Sequence, residues 1–345
     1  MVCSGVRKRV EFAPLRKSTL IPILIFLAGL AASPLAAAPS WHELRAPDFT
    51  ILSQVSEKDS RAWADEFEQF ILALHDVVPP DPGGLPPLTV VLFADPRQFS
   101  PYIPLAADGR PIDAAGFFSR HPTWAIIGLA RHAHNEAETR HIIFHEGVHW
   151  CMGRTSLAYP LWFNEGLAEV FSTFRIQDGQ ARWGDPLFGH VALLREQEPL
   201  PVEKLLAVTQ ASPLYYQKHR IGIFYAESWA LVHYMLFGRR AGARSDLFYY
   251  FQELKTGMAP DKAFEVAFGT DYAGMDETLR EYVSGPAYAV TVRDLPPASG
   301  VTAAFVAASP LLVEKTLENL AYSSRRLDVA RQHAEALLKL SARSP

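Results

Sequence analysis

Cysteine is almost missing from this chain: of 345 residues only Cys3 and Cys151 carry a thiol. Cys3 lies in an N-terminal stretch that reads as a leader. The remainder then holds one thiol and no internal disulfide. Within its apolar surroundings Cys151 is expected to be a small buried hydrophobe rather than a nucleophile. A dominant charge is missing as well, since 33 basic residues face 37 acidic ones for a formal net charge of −4. Nucleic-acid binders present a basic face, and no long basic run occurs in the body of the chain, so no nucleic-acid partner is expected. A long apolar run is also lacking. The clearest candidate, 20–30, falls short of the roughly 20 residues a spanning helix needs.

What is present begins with a compositional break. Arg7, Lys8, Arg9, Arg16 and Lys17 precede the apolar run, and small residues fill 31–38. Charged, apolar and small segments in that order make a secretory signal peptide over 1–38, with cleavage near 36–38. The product is expected in the periplasm or outside the cell; contact with a membrane would follow only if the signal stays uncleaved as an anchor. The rest is long and apolar enough for a sizeable core, as two domains or one with an appendage.

Residues 41–53 alternate apolar and polar and predict a strand. Ser56 caps a helix running to about Val77, with Glu57 and Asp59 in its first turn. A Pro/Gly linker over 79–87 leads to a buried strand at 88–93. Residues 95–116 read as loop, and 117–118 and 124–129 as two strands joined through His121–Pro122. Helices are expected at 136–152, 161–175, 187–196, 224–237, 243–255, 259–268 and 275–283. The class is α+β: a small N-terminal mixed β-sheet, then helices. Residues 39–285 form the main domain, divided into an α/β part (39–152) and a helical part (153–285). A linker follows over 286–310, then a helical tail over 311–345.

Chemistry concentrates at His145-Glu146-Gly147-Val148-His149. Residues four apart share one face of a helix, so both imidazoles can reach a single ion, while Glu146 stands at the edge of that face as a general base. A catalytic zinc site needs three protein ligands and one open position. The next helix supplies Asn164-Glu165-Gly166-Leu167-Ala168-Glu169, and fifteen residues (150 through 164) leave room for a turn and a second packed helix. On spacing alone the third ligand is Glu165 or Glu169. One zinc ion per chain is the expected cofactor, though manganese or iron would accept the same donors.

The sequence 145–150, H-E-G-V-H-W, with 162–169, W-F-N-E-G-L-A-E, resembles the gluzincin metallopeptidases, in particular the peptidase-MA-like group related to aminopeptidase N and thermolysin. The resemblance runs more weakly from Trp41 to about Val283 and includes Phe224-Tyr225-Ala226-Glu227-Ser228-Trp229. It implies a gluzincin-type fold, hydrolysis of peptide bonds in a peptide or protein substrate, and Glu165 as third ligand. It also implies a tyrosine on a downstream helix as oxyanion donor. Tyr225 is the candidate, with Tyr215, Tyr216, His219 and Tyr234 as competitors. The gap to Glu165 is shorter than in aminopeptidase N or thermolysin, so the connecting loop must be trimmed. No G-x-M-E-N-type sequence grips a free amino terminus, which favours an endopeptidase over an aminopeptidase.

Glu169, one turn past Glu165, either holds the free N–H of a ligand histidine from the second rank or is an ordinary solvated residue. Asn164 and Trp162 are assigned to capping and packing; His132, His134 and His141 to the surface. The segment 124–129 is expected to be an edge strand that pairs with extended substrate. Through Leu317, Leu320, Ala321, Ala330, Ala334, Leu337 and Pro345 the tail resembles one tetratricopeptide unit. Solenoids need about three, so a single copy must pack on the main body, pair with an envelope partner, or stay partly unordered. The alternative to an enzyme is a non-catalytic zinc protein that binds peptides or acts as an envelope scaffold through this tail.

Overall fold

A computed structural model describes residues 40–345 apart from 80–85, 107, 113, 132–134, 154–158, 217, 239–242, 295–303 and 343–345. The side chains of 215, 216, 218, 219, 243 and 244 also lie outside the description. The chain divides into 1–38 and Pro39–Pro345. The expected signal segment, 1–38, falls wholly outside the described residues, and the fold is that of the second unit.

That unit opens with β1 (His42–Arg45) and β2 (Phe49–Ser53), an antiparallel pair where one continuous strand over 41–53 was expected. Proline cannot donate to a ladder, and Pro47 sits in the turn between them. Helix α1 (Glu57–His75) comes next, its Ser56 hydroxyl accepting from the Asp59 N–H in the expected cap. Its buried stripe of Trp63, Phe67, Phe70, Ile71 and Leu74 lies against the sheet as it crosses to β3 (Leu88–Phe93), parallel to β2. After a short α2 (Pro96–Phe99) the hairpin β4 (Gly116–His121) and β5 (Trp124–Ala130) completes this part of the sheet. The strand order is β4-β5-β3-β2-β1, with a further strand beyond β1. Consequently β5 is interior and, among the described residues, β4 is the free edge, which corrects the expectation for 124–129. Every position of β5 after Trp124 is buried, as an interior strand requires.

Helices α3 (Glu136–Met152) and α4 (Leu161–Phe171) come next. The second ends before the expected 175 because Arg175–Gln177 and Gln180–Trp183 form a hairpin, β6 and β7. Asp178 and Gly179 take φ of 52° and 79° at its tight turn, where glycine and aspartate tolerate the left-handed region. The helical part continues as α5 (Phe188–Glu196), α6 (Val202–Leu206), α7 (Lys218–His233), α8 (Ala243–Thr256), α9 (Pro260–Phe268) and α10 (Tyr272–Ser284).

Residues 286–310 are more than a linker. They supply β8 (Thr291–Arg293), paired to β7, and β9 (Val306–Ala307), which covers the outer edge of β1. The tail forms an antiparallel helix pair, α11 (Pro310–Ser323) and α12 (Leu327–Ser341). Val313, Leu317, Leu320 and Ala321 fill a second core with Leu52, Val91, Phe93 and Ile126. They cover the sheet face that α1 and α3 leave bare. A Cβ on Gly128 of β5 would stand 2.6 Å from Leu320, so the sheet is shaped for this helix. Of the three fates open to a single helical pair, the chain takes packing on its own body. Among the described residues no helix is long and apolar enough to cross a membrane.

Candidate metal centre

The α3 helix starts where Asn135 accepts from the Glu138 N–H, and Glu136 and Glu138 suit the positive end of the helix dipole. Ile143, Phe144, Gly147, Val148 and Cys151 turn into the core. A Cβ on Gly147 would lie 2.7 Å from Phe70 and 2.8 Å from Phe67, so the glycine lets α3 approach α1 closely. His145, Glu146 and His149 are left half-buried on the other side.

Helix α4 is set in the same way. A Cβ on Gly166 would come within 2.2 Å of the Ser228 carbonyl oxygen in α7, so no other residue fits here without moving the α7 backbone. Trp162 and Phe163 are fully buried, and the Asn164 side-chain amide donates to the Tyr159 carbonyl at 3.0 Å. These contacts aim Glu165, 6 % exposed, at α3.

Three donor atoms converge. His145 Nε2 and His149 Nε2 are 3.2 Å apart, and Glu165 Oε2 lies 3.6 Å from the first and 3.4 Å from the second. Donors placed tetrahedrally at zinc–nitrogen and zinc–oxygen bond lengths stand about 3.3–3.4 Å from one another, so the triangle has the size of a three-coordinate face. Glu165 Oε2 is moreover buried with no hydrogen-bond partner. A buried, unsatisfied carboxylate oxygen costs a folded protein on the order of 1–3 kcal/mol or more unless something pairs with it. The three residues are thus a group that could hold a metal ion.

Burial alone would push the Glu165 carboxyl upward, but the facing His145 and His149 rings outweigh it and hold the pKa at about 2. Burial likewise pushes His145 down, and Glu165, Glu169 and Glu146 reverse this to about 9. The carboxylate is charged at any physiological pH, and negative charge surrounds the first imidazole. A metal ion bound here would displace the proton that these carboxylates otherwise hold on His145.

Glu169 is buried rather than solvated. Its Oε1 lies 3.6 Å from His145 Nδ1, the ring nitrogen turned away from the triangle, and its Oε2 lies 3.2 Å from His190 Nε2 on α5. His141 Nε2 approaches the same oxygen at 3.9 Å, and burial lowers that histidine's pKa. His141 is half-buried and stands outside the donor triangle; His132 and His134 lie outside the described residues. The part played by His190 had no local signal, because nothing in the α5 sequence marks it and its contact depends on how α5 packs.

The centre opens into a cleft of about 700 Å³. Glu146, Tyr225 from α7 and Phe118 from edge strand β4 line it together with His145, His149 and Glu165. Tyr225 and Glu146 also share a smaller adjoining hollow with Glu169. Of the competing residues, Tyr234 packs on Tyr282 at 5.2 Å between ring centres. The side chains of Tyr215, Tyr216 and His219 lie outside the description. Tyr159 lines the cleft too, although its sequence context, beside Pro160, marks only a turn. Compared with protein-family models and with curated proteins, the chain finds no match in either.

Proposed function

We propose that this chain is an exported zinc-dependent peptidase of gluzincin type, with His145, His149 and Glu165 as metal ligands and Glu146 as general base. The observation that carries the reading is the convergence of three donors, one of them an orphaned buried carboxylate oxygen, in an open cleft that a second carboxylate, Glu146, also lines. Zinc bound there would supply Lewis acidity, polarising a carbonyl and lowering the pKa of water from about 16 towards 7.

The chain's own groups do the rest. Glu146 is adjacent in sequence to the first ligand yet outside the triangle, so its carboxylate is free to take the proton that water loses on attacking a peptide carbonyl. It returns that proton to the departing amine. Tyr225 faces the cleft from α7 and is the candidate donor to the oxygen on which charge develops. Glu169, hydrogen-bonded to His190, places its carboxylate 3.6 Å from the rear nitrogen of His145, where its charge favours one orientation of the ring. Strand β4, in place of the segment 124–129, offers its unpaired edge to an extended peptide.

Export rests on the order of charged, apolar and small segments within 1–38. Endopeptidase action is preferred because the chain carries no G-x-M-E-N-type sequence for holding a free amino terminus. The envelope-scaffold alternative relies on the tail, but the buried side of α11 is already committed to the sheet. The test combines metal analysis with digestion of a peptide library by wild type and Glu146→Gln. Stoichiometric zinc in both, with cleavage only in wild type, is the expected result. Zinc in both with no cleavage in either would favour the scaffold.

A further inference from the structure

Strand β4 runs beside the metal helix. At one end a Cβ on Gly116 would lie 2.5 Å from Ile142 of α3; at the other, Arg120 Nη1 lies 2.7 Å from where a Cβ on Gly153 would stand. Gly116, Phe118 and Arg120 point to one side of the strand, the side of α3. From 116 to 120 the strand advances about 13 Å, and from 142 to 153 the helix advances about 16 Å, so the two elements are nearly aligned. His145 and His149 lie between the two anchor points. Gly153 continues their face by one turn, about 6 Å beyond His149.

Arg120 is exposed on the cleft wall, and among the described residues it has neither a hydrogen-bonding nor an ion-pair partner. Several other arginines are matched, Arg131 with Asp59 and Glu136, Arg140 with Glu66 and Arg182 with Asp185; what sets Arg120 apart is its place in the cleft of the metal centre. Among the described residues, the carboxylates lining the cleft are Glu146 and Glu165, both assigned to the metal chemistry. We infer that Arg120 is a substrate-recognition residue whose guanidinium receives a carboxylate of the bound peptide, about three residues along from the scissile bond. The assignment rests on the cleft being a peptide site.

Two sources supply that carboxylate. An Asp or Glu side chain reaches Arg120 whichever way the peptide runs. A C-terminal carboxylate reaches it only if the peptide runs in the same direction as β4, which proceeds from the Gly116 end toward Gly153. A purely structural role also suits a cation here, because Arg120 Nη1 and the carbonyls of His149 and Trp150 all lie within 3.3 Å of where a Cβ on Gly153 would stand, at the negative end of α3. That role predicts a loss of stability and no substrate preference.

The test uses the full chain loaded with zinc and carrying Glu146→Gln, which prevents turnover. Fluorescein-labelled hexapeptides are compared by anisotropy: free against amidated C-terminus, and Glu against Gln scanned through the internal positions. Wild-type protein is given the same peptides, with products read by mass spectrometry. At least one carboxylate-bearing set should bind about tenfold more tightly than its neutral counterpart, with the advantage shrinking as salt is raised. Adding Arg120→Gln should reduce the ratio to near one. Arg120→Glu should invert it in favour of Lys-bearing peptides, and Gly153→Ala, which displaces the guanidinium, should weaken it. A preference confined to the free C-terminus identifies the end group; one confined to a single internal Glu identifies a side chain. Equal binding of charged and neutral peptides, no binding of any, or a preference unchanged by Arg120→Gln overturns the assignment. If wild type cleaves nothing while the preference survives, the peptidase reading fails and the carboxylate site stands.

Discussion

His233 and Glu165 are both buried polar side chains on helices that pack against each other at Gly166, and their surroundings are opposite. The His233 ring is fully served. Its Nε2 donates to the Gly184 carbonyl at 2.7 Å, and its Nδ1 accepts from the Tyr282 hydroxyl at 2.6 Å. Glu165 Oε2 is equally buried and has no hydrogen bond, yet two imidazole nitrogens face it within 3.6 Å. A polar group the protein satisfies by itself stabilises the fold; the Glu165 oxygen, buried, open and faced by two imidazoles, is one that a metal ion could pair with. Glu227 stands between the two, with one oxygen accepting from the Leu200 N–H at 2.7 Å. Burial there, with Asp276 nearby, raises its pKa to about 8.

The comparison breaks if the open and closed sites respond alike to substitution. The largest expected effect is at the open one. Glu146→Gln should lower kcat for peptide hydrolysis by about 10²–10⁴-fold while leaving zinc content and thermal midpoint unchanged. A matching loss of stability would mean that Glu146 is structural.

Next comes Glu227. Its folded pKa lies above the unfolded value of 4.5, so the folded state holds more protons between pH 4.5 and 8. Its contribution is therefore complete below 4.5 and lost as pH rises through 8, on the order of 5 kcal/mol. Denaturant melts across this window should show Glu227→Gln losing that slope, because a glutamine still accepts from Leu200 and never ionises. His233 carries the reverse sign. Burial holds its pKa near 4 against 6.5, so its contribution is present above 6.5 and lost as pH falls through 4. The size is on the order of 3 kcal/mol. His233→Leu should remove this acid dependence and destabilise the protein at pH 7, with zinc affinity untouched. The smallest effect is expected at Glu169→Ala, which should weaken zinc binding by about 10–100-fold in chelator competition, the cost of freeing a ligand histidine.

The same division explains what was legible in the sequence. Helix α3 is legible over 136–152, and the helix period sets His145 and His149 on one side. Spacing presents Glu165 and Glu169 only as a pair, and the family resemblance alone separates them. Which carboxylate closes the triangle depends on how α4 rolls against α3, and Gly166 fixes that through its contact with α7. The β1–β2 break and the β6–β7 hairpin do carry local marks, in Pro47 and in Asp178-Gly179, that the longer periodic runs around them mask. The status of β4 as the edge strand, the His190–Glu169 contact and the docking of α11 on the sheet are long-range outcomes with no local marker. Packing decided them.

His145, His149 and Glu165 are held here to bind one metal ion between them, and every functional step depends on that. Equilibrium dialysis of wild type and Glu165→Leu against buffered zinc addresses it without reference to any substrate. One tightly held ion per wild-type chain is expected, with loss of that ion in Glu165→Leu, in a variant that remains folded by circular dichroism. Equal zinc affinity in the two proteins would contradict it.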